Sequence, residues 1–273
     1  MALTAQMLTS DAVFAGSIPQ LYDEYMVPLI FEVYADDLVK RAVGRNPTRV
    51  LELAAGTGVV TRRLASAITA PIIATDLNPG MLERAAAVGT SRPVEWRQAD
   101  AMKLPFDDSS FDLVLCQFGA MFFPDKGKAF AETRRVLRPG GTFLFNVWDR
   151  IEENEFANAV LQALNPLFPT NKLTFMARTP HGYFDHAQIS KDLRDGGFSN
   201  PATIDTVTAR SRAASARVPA LALCQGTPMR AELESRGASL SAMTDHATAA
   251  IAARFGEGPV EGKIQGFVVT VSA

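Results

Sequence analysis

Cysteine, histidine and tryptophan are scarce in this chain, and neither sign of charge predominates. Two cysteines in 273 residues, Cys116 and Cys224, cannot build a disulfide framework and stand at no metal-ligand spacing. The expectation is a reducing, cytoplasmic setting and no bound metal. Lysine and arginine number 27 against 29 acidic residues, a formal net charge of −2, so nothing draws the whole molecule to nucleic acid or to an anionic membrane. No run approaches the roughly 20 apolar residues of a membrane span. The opening MALTAQMLTSDAVFAGS lacks the basic stretch and apolar core of a secretory signal. With 47% hydrophobic and 21% charged residues, the chain has an ordinary globular balance. Its length suits one large α/β domain with an elaboration, or two small domains.

Residues 1–18 are small and polar and read as a loose arm. IPQLYDEYMVPLIFEVYADDLVKRAV then carries apolar residues at helical spacing, with Pro28 expected at a helix boundary. From Arg49 strand and helix alternate. RVLELAA, PIIATD, VEWRQAD, FDLVLCQFG and TFLFNVWD read as strands. TRRLASAITA, NPGMLERAAAVG (opened by Asn78 and Pro79) and KGKAFAETRRVL read as helices, the charges of the last forming a solvated face. Five short apolar strands between residues 49 and 149, alternating with helices, predict a parallel sheet covered on both faces.

After Trp148 the rhythm breaks. ENEFANAVLQALNPLF is helix-like, PTNKLTFMARTPHGYFD irregular, and HAQISKDLRDGGF a short helix before the strand candidate PATIDTVTA. A long helical stretch over about 213–256 is interrupted at GTP and RGAS, and KIQGFVVTVSA closes the chain as a strand. No repeat or linker divides it. Residues 1–273 therefore read as one domain, with lid elements over about 151–185 and 210–260.

The turn at RVLELAAGTGVV decides the chemistry. Glycines after a buried strand let a ligand approach the backbone and its N–H groups. No Lys follows, as a P-loop requires, and Thr61 stands where a dinucleotide fingerprint places its third glycine. Asp76 ends the next strand about 20 residues on, where a carboxylate can take both hydroxyls of an adenosine ribose. Asp100, past the third strand in QADAMKLPF, can accept the adenine amino hydrogen. Ala101 and Met102 would offer a backbone N–H and an apolar face to the base. Three successive strand ends thus converge on one adenosine at the carboxyl edge of the sheet.

VLELAAGTGVVTRRLA, IIATDLNPGML, QADAMKLPFDDSSFDLVLCQFGAMFFPD and RRVLRPGGTFLFNVW together resemble the motifs of class I S-adenosylmethionine-dependent methyltransferases. The branch they resemble most is typified by the ubiquinone/menaquinone-biosynthesis enzymes, and the likeness is good over about residues 20–150. It implies a doubly wound, Rossmann-like sheet of seven strands, mostly parallel, with the last strand antiparallel and a helical lid. It implies S-adenosyl-L-methionine as cofactor and methyl transfer to a small-molecule acceptor. Gly56 and Gly58 would flank the methionine moiety, with Glu52 supporting the turn. Leu77 and Met81 would lie beside the adenine. Gln117 and Phe118 would border the methyl-transfer site, and Tyr22 and Tyr25 would close over the cofactor. Ala54-Ala55 departs from the usual Gly-Cys pair, and both alanines are expected in ordinary β space.

Methyl transfer from a sulfonium needs alignment and exclusion of water, and a base only where the acceptor must lose a proton. His181 is the base candidate, in TPHGYFDHAQ with His186 and with Tyr183 between them. His246 belongs on a helix face. Phe122, Phe123, Trp148 and Tyr183 are the candidates for lining an acceptor pocket. The competing readings are a cofactor-binding protein that does not turn over and a nicotinamide-dependent oxidoreductase.

Overall fold

Each apolar run bounded by turn residues becomes a strand in the computed structural model, which describes residues 11, 12 and 14–273. The strands are β1 (Val50–Glu52), β2 (Ile72–Asp76), β3 (Glu95–Gln98), β4 (Phe111–Gln117), β5 (Leu137–Trp148), β6 (Thr203–Ala213) and β7 (Val260–Ser272). They form one sheet in the order β3-β2-β1-β4-β5-β7-β6. The first five are mutually parallel, while β7 runs antiparallel to both β5 and β6. The expected seven-stranded sheet with a reversed last strand is what forms. Helices Val59–Ala67, Pro79–Val88 and Lys126–Val136 make the crossovers. β1, β2 and the centre of β4 are buried on both faces, as strands between two helical layers must be.

Four local readings are corrected. Pro28 is not a boundary: the helix runs unbroken from Ile18 to Val43, and its middle, Tyr22–Phe31, is π-helical with Pro28 inside. The wider i→i+5 ladder, seen where the Glu32 N–H donates to the Val27 carbonyl, relieves the crowding that proline imposes on an α-helix. Ala54 is not in β space; its φ is +50°. The chain swings out of β1 there so that the Gly56 N–H can reach the Asp76 carboxylate at 2.9 Å. Arg135 is no solvated charge, since its guanidinium donates to the carbonyls of Leu104 and Phe106 and pairs with Asp108 and Glu132, tying down the loop before β4.

The fourth correction concerns the arm. Residues 1–10 and 13 lie outside the described residues, but Asp11 is buried and both its carboxylate oxygens accept from Arg178 Nη2, at 2.8 and 2.7 Å. The Phe14 N–H donates to Asn78 Oδ1, and its ring packs edge-on to Tyr22 and Phe122. The half-buried Phe14 ring is thus held between two aromatic neighbours despite the polar sequence around it.

Beyond β5, helices Glu155–Leu164, Arg217–Gln225 and Leu240–Phe255 pack on one another and on the N-terminal helix. The long helical stretch breaks at Gly226-Thr227-Pro228 and again before Leu240, as the sequence suggests. Among the described residues no helix is long and apolar enough to cross a membrane.

Candidate active site

The ends of β1, β2, β3 and β4 meet around a cavity of about 350 Å³. Gly56, Asp76, Leu77, Met81, Asp100, Ala101, Met102, Gln117 and Phe118 all line it. Gly56 has φ +57°, a conformation that favours a residue without Cβ. Asp76 is buried, and burial raises its pKa while the N–H groups of Asn78 and Gly56 pull the other way. Its Oδ1 accepts the Asn78 N–H at 2.8 Å. One carboxylate therefore shapes the Gly-Thr-Gly turn and still keeps lone pairs toward the cavity. Leu77, half exposed, forms an open apolar edge.

At Asp100 the geometry is more economical than the sequence suggests. Its Oδ1 accepts the Met102 N–H at 2.8 Å, so that donor is taken and the Ala101 N–H is the one left for a base. Among the described residues Gln117 Oε1 is buried without a hydrogen-bond partner, an arrangement that costs free energy unless a donor comes to it.

Three other expected residues stand elsewhere. Gly58, at φ +84°, faces away from the cavity; a Cβ there would meet the Trp96 ring at 2.8 Å and Ala85 at 3.2 Å. It allows close packing of the turn on β3 and on helix Pro79–Val88. Glu52 is buried beneath the turn and accepts the Thr61 hydroxyl at 2.6 Å; burial pushes its pKa up to about 8. Tyr25 lines neither cavity, because the wider turn of the π-helix points it away from Tyr22.

A second cavity, with free space of about 70 Å³, lies between the sheet and the helices after β5. Trp148 lines it, stacked on Phe118 with centroids 3.8 Å apart and planes 6° apart. His181 lines it too and is buried. Its Nδ1 lies 2.8 Å from the Asp149 carbonyl. That oxygen can only accept, so Nδ1 carries the proton and Nε2 the lone pair. Burial, opposed by the Asp149 carbonyl and by the Glu152 and Asp149 charges, pushes the imidazole pKa down to about 4, so the ring is neutral.

The remaining candidates separate. Phe122 lines both cavities and Phe123 only the first. Tyr183 lines neither: its hydroxyl donates to Asp192 at 2.8 Å, and Lys126 sits over its ring. Burial together with that carboxylate raises its pKa. His186 and His246 are exposed, His186 edge-on to Phe267.

Sequence reasoning missed Phe14, which with Tyr22, Phe118 and Phe122 forms the wall common to both cavities. It also missed the strain at that wall. Phe118 has φ +49°, held by its N–H donating to Asn146 Oδ1 at 2.9 Å. A Cβ on Gly119 would come within 2.4 Å of the Ala54 methyl. Two adjacent strand tips thus carry non-glycine residues in left-handed backbone, a cost of about 1–3 kcal/mol each that concentrates at functional sites.

Residues 51–145 match the family described as a methyltransferase domain. The ubiquinone/menaquinone biosynthesis C-methyltransferase UbiE of Pseudomonas savastanoi is 41% identical over 106 residues, 37% of this chain and 41% of that protein. The demethylmenaquinone methyltransferase of Clavibacter sepedonicus is 34% identical over 163 residues, 56% of this chain and 66% of its own length. The chain spans about half the length of the curated relatives it matches. Among solved structures, the YcgJ protein of Bacillus subtilis superposes with a TM-score of 0.55 at 19% identity, covering 87% of this chain and 98% of that one. This last likeness is one of fold.

Proposed function

We propose that the protein transfers a methyl group from S-adenosylmethionine to a small-molecule acceptor. The observation that carries this reading is the pair of cavities sharing one aromatic wall, polar on the strand-tip side and apolar on the other.

The residues of the first cavity fit the cofactor. Asp76 would accept the ribose hydroxyls, and the Gly56 turn would leave room for the methionine chain. Gln117 Oε1, without a partner among the described residues, would accept from the α-ammonium. Asp100 and the Ala101 N–H would hold the adenine between Leu77 and Met81, and Tyr22 would close the inner end. Bound there, the cofactor supplies an electrophilic methyl on a sulfonium. The chain's own contribution is alignment and exclusion of water, through Phe14, Phe118 and Phe122 at the junction. Residues of 151–185 and 210–260, among them Phe156, His181 and Leu223, line the second cavity and support their reading as a lid.

Calorimetry with S-adenosylmethionine and its demethylated product tests the reading. Both should bind the parent protein and bind Asp76→Ala about 10- to 150-fold more weakly, the range of roughly 1.5–3 kcal/mol for a charge-assisted hydrogen bond. Equal affinity in a folded variant removes the ribose assignment. Binding of a nicotinamide dinucleotide in their place overturns the reading as a whole.

A further inference from the structure

The second cavity is unusual in what its wall lacks. Among the described residues none of its lining side chains is acidic, and none is lysine or arginine. An acceptor with a carboxylate or phosphate would be desolvated there without a cation. An ammonium would be desolvated without a carboxylate. Either is strongly unfavourable. Eight aromatic rings, from Phe14 to Phe175, supply the lining instead, and such surfaces favour a flat apolar partner.

The polar side chains in that wall are Tyr22, Trp148, Asn154, His181 and Thr227. Two are committed. Asn154 donates to the carbonyls of Arg150 and Gln265 and accepts the Gln265 N–H. Thr227 donates to the Leu223 carbonyl and accepts the Met229 N–H. The Trp148 indole can only donate, and the Tyr22 hydroxyl can do either. His181 differs from all of them. With Nδ1–H fixed on the Asp149 carbonyl, Nε2 can only accept, and among the described residues it has no partner.

Resting on the methyltransferase reading, we propose that the acceptor is an uncharged aromatic hydroxyl compound, a phenol, and that His181 Nε2 takes its proton as the phenol oxygen is methylated. The oxygen forms its bond to the methyl carbon with a lone pair. The carbon–sulfur bond breaks with its electron pair on sulfur, and the hydroxyl proton passes to Nε2. One positive charge leaves the sulfonium and one arises on the imidazole, so charge balances. The Asp149 carbonyl that fixes the tautomer also receives the stronger donor so formed. A neutral imidazole in an apolar pocket is a weak base, which selects among hydroxyls. Phenols, near pKa 10 like tyrosine, are far more acidic than aliphatic alcohols and so give up the proton to a weak base more readily. General bases of this kind contribute about 10²- to 10⁴-fold.

The test uses the full chain and the variant His181→Asn, whose amide nitrogen can replace Nδ1 on the Asp149 carbonyl while nothing replaces Nε2. The acceptor panel is phenol, 1-naphthol, 4-nitrophenol, benzoate, benzylamine and phenyl phosphate. Neutral phenols should quench tryptophan fluorescence in the cofactor-free protein, and the three charged compounds should not. Nitrogen NMR of labelled histidine should show Nε2 unprotonated and moved by phenol. With S-adenosylmethionine present, the phenols should yield aryl methyl ethers. His181→Asn should keep cofactor affinity and circular dichroism but lose about 100-fold or more in kcat on phenol. Its loss on the more acidic 4-nitrophenol should be under about 10-fold, because an acceptor ionised in water needs little help from a base.

Equal rates for parent and variant on phenol overturn the proposal. So does methylation of benzylamine or benzoate in preference, or cofactor binding with none of the panel methylated. Failure of S-adenosylmethionine to bind the parent at all would instead overturn the methyltransferase reading beneath it.

Discussion

The two cavities differ in how their walls are drawn from the chain. The first is built from four strand tips within residues 54–119, closed by Ala12, Phe14, Tyr22 and the turn to Pro124. Its polar groups sit at the ends of strands whose register is fixed by pairing. The second takes its wall from places as distant as Phe14 and Ile264. His181, whose Nε2 can only accept, lies in a segment without periodic pattern. A site on strand tips inherits the rigidity of the sheet. A site between packed helices depends on how those helices happen to meet, and it can change its ligand without disturbing the other half.

If that division holds, damage to one half should be felt on one ligand. The largest effect belongs to Gly56→Val, which forces a β-branched residue to φ +57° beside the Met81 and Tyr22 side chains. Cofactor affinity should fall at least about 100-fold with the sheet intact, as judged by calorimetry and circular dichroism. A folded variant with parental affinity would show the turn to be merely structural.

Asp76 comes next and sharpens the comparison, because it both bonds the turn and faces the cavity. Asp76→Asn keeps an acceptor for the Gly56 N–H and should lose less cofactor affinity than Asp76→Ala. Matching losses in the two would mean that charge toward the ribose matters and support of the turn does not. Neither should alter the binding of phenol to cofactor-free protein.

On the other side of the wall, Trp148→Phe removes part of the stack on Phe118 while keeping a ring. The acceptor KM should rise by roughly 3- to 10-fold, with kcat and cofactor affinity close to parental. A fall in kcat at unchanged KM would place Trp148 in the reacting geometry instead of the wall.

The smallest effects are opposite pH slopes of stability in the two halves. Glu52, raised from its ordinary 4.5 to about 8, folds as the neutral acid. Its contribution is complete below pH 4.5 and is lost as pH rises through 8. His181, lowered from 6.5 to about 4, folds as the neutral base, so its contribution is complete above pH 6.5 and is lost as pH falls through 4. Glu52→Gln should therefore flatten the alkaline decline in Tm and His181→Asn the acid one. Each variant is compared with the parent over the same buffers. The reverse pairing would contradict both assignments of charge.

Much of the first half was legible because its signals are local. Gly-Thr-Gly and Asp76 each follow an apolar run, Asp100 follows the polar edge strand β3, and strand pairing carries all three to one edge. Where reading failed there, the cause was packing out of sight of the motif. Gly58 answers to Trp96, Tyr25 to the phase of a π-helix, and Ala54 to the bond between Gly56 and Asp76. In the second half Trp148 and Phe122 could be nominated as aromatics that follow strands. Tyr183 was nominated for its place between His181 and His186, yet its hydroxyl donates to Asp192 instead. Phe14 was lost in an arm that looked polar, since a single half-buried ring leaves no periodicity.

The sequence by itself determined the alternation of strand and helix, hence the parallel sheet and the place on its edge where a nucleoside would bind. Those follow from hydrophobic period and turn chemistry, which act over a few residues. Only the tertiary structure decided the tautomer of His181, the charge-free wall around it and the strained Ala54 and Phe118 at the junction. Each depends on an atom contributed from elsewhere in the fold: the Asp149 carbonyl, helices packed from both segments after β5, and the Asn146 amide. Contacts of that kind are set by how elements meet in space, and no spacing along the chain records them.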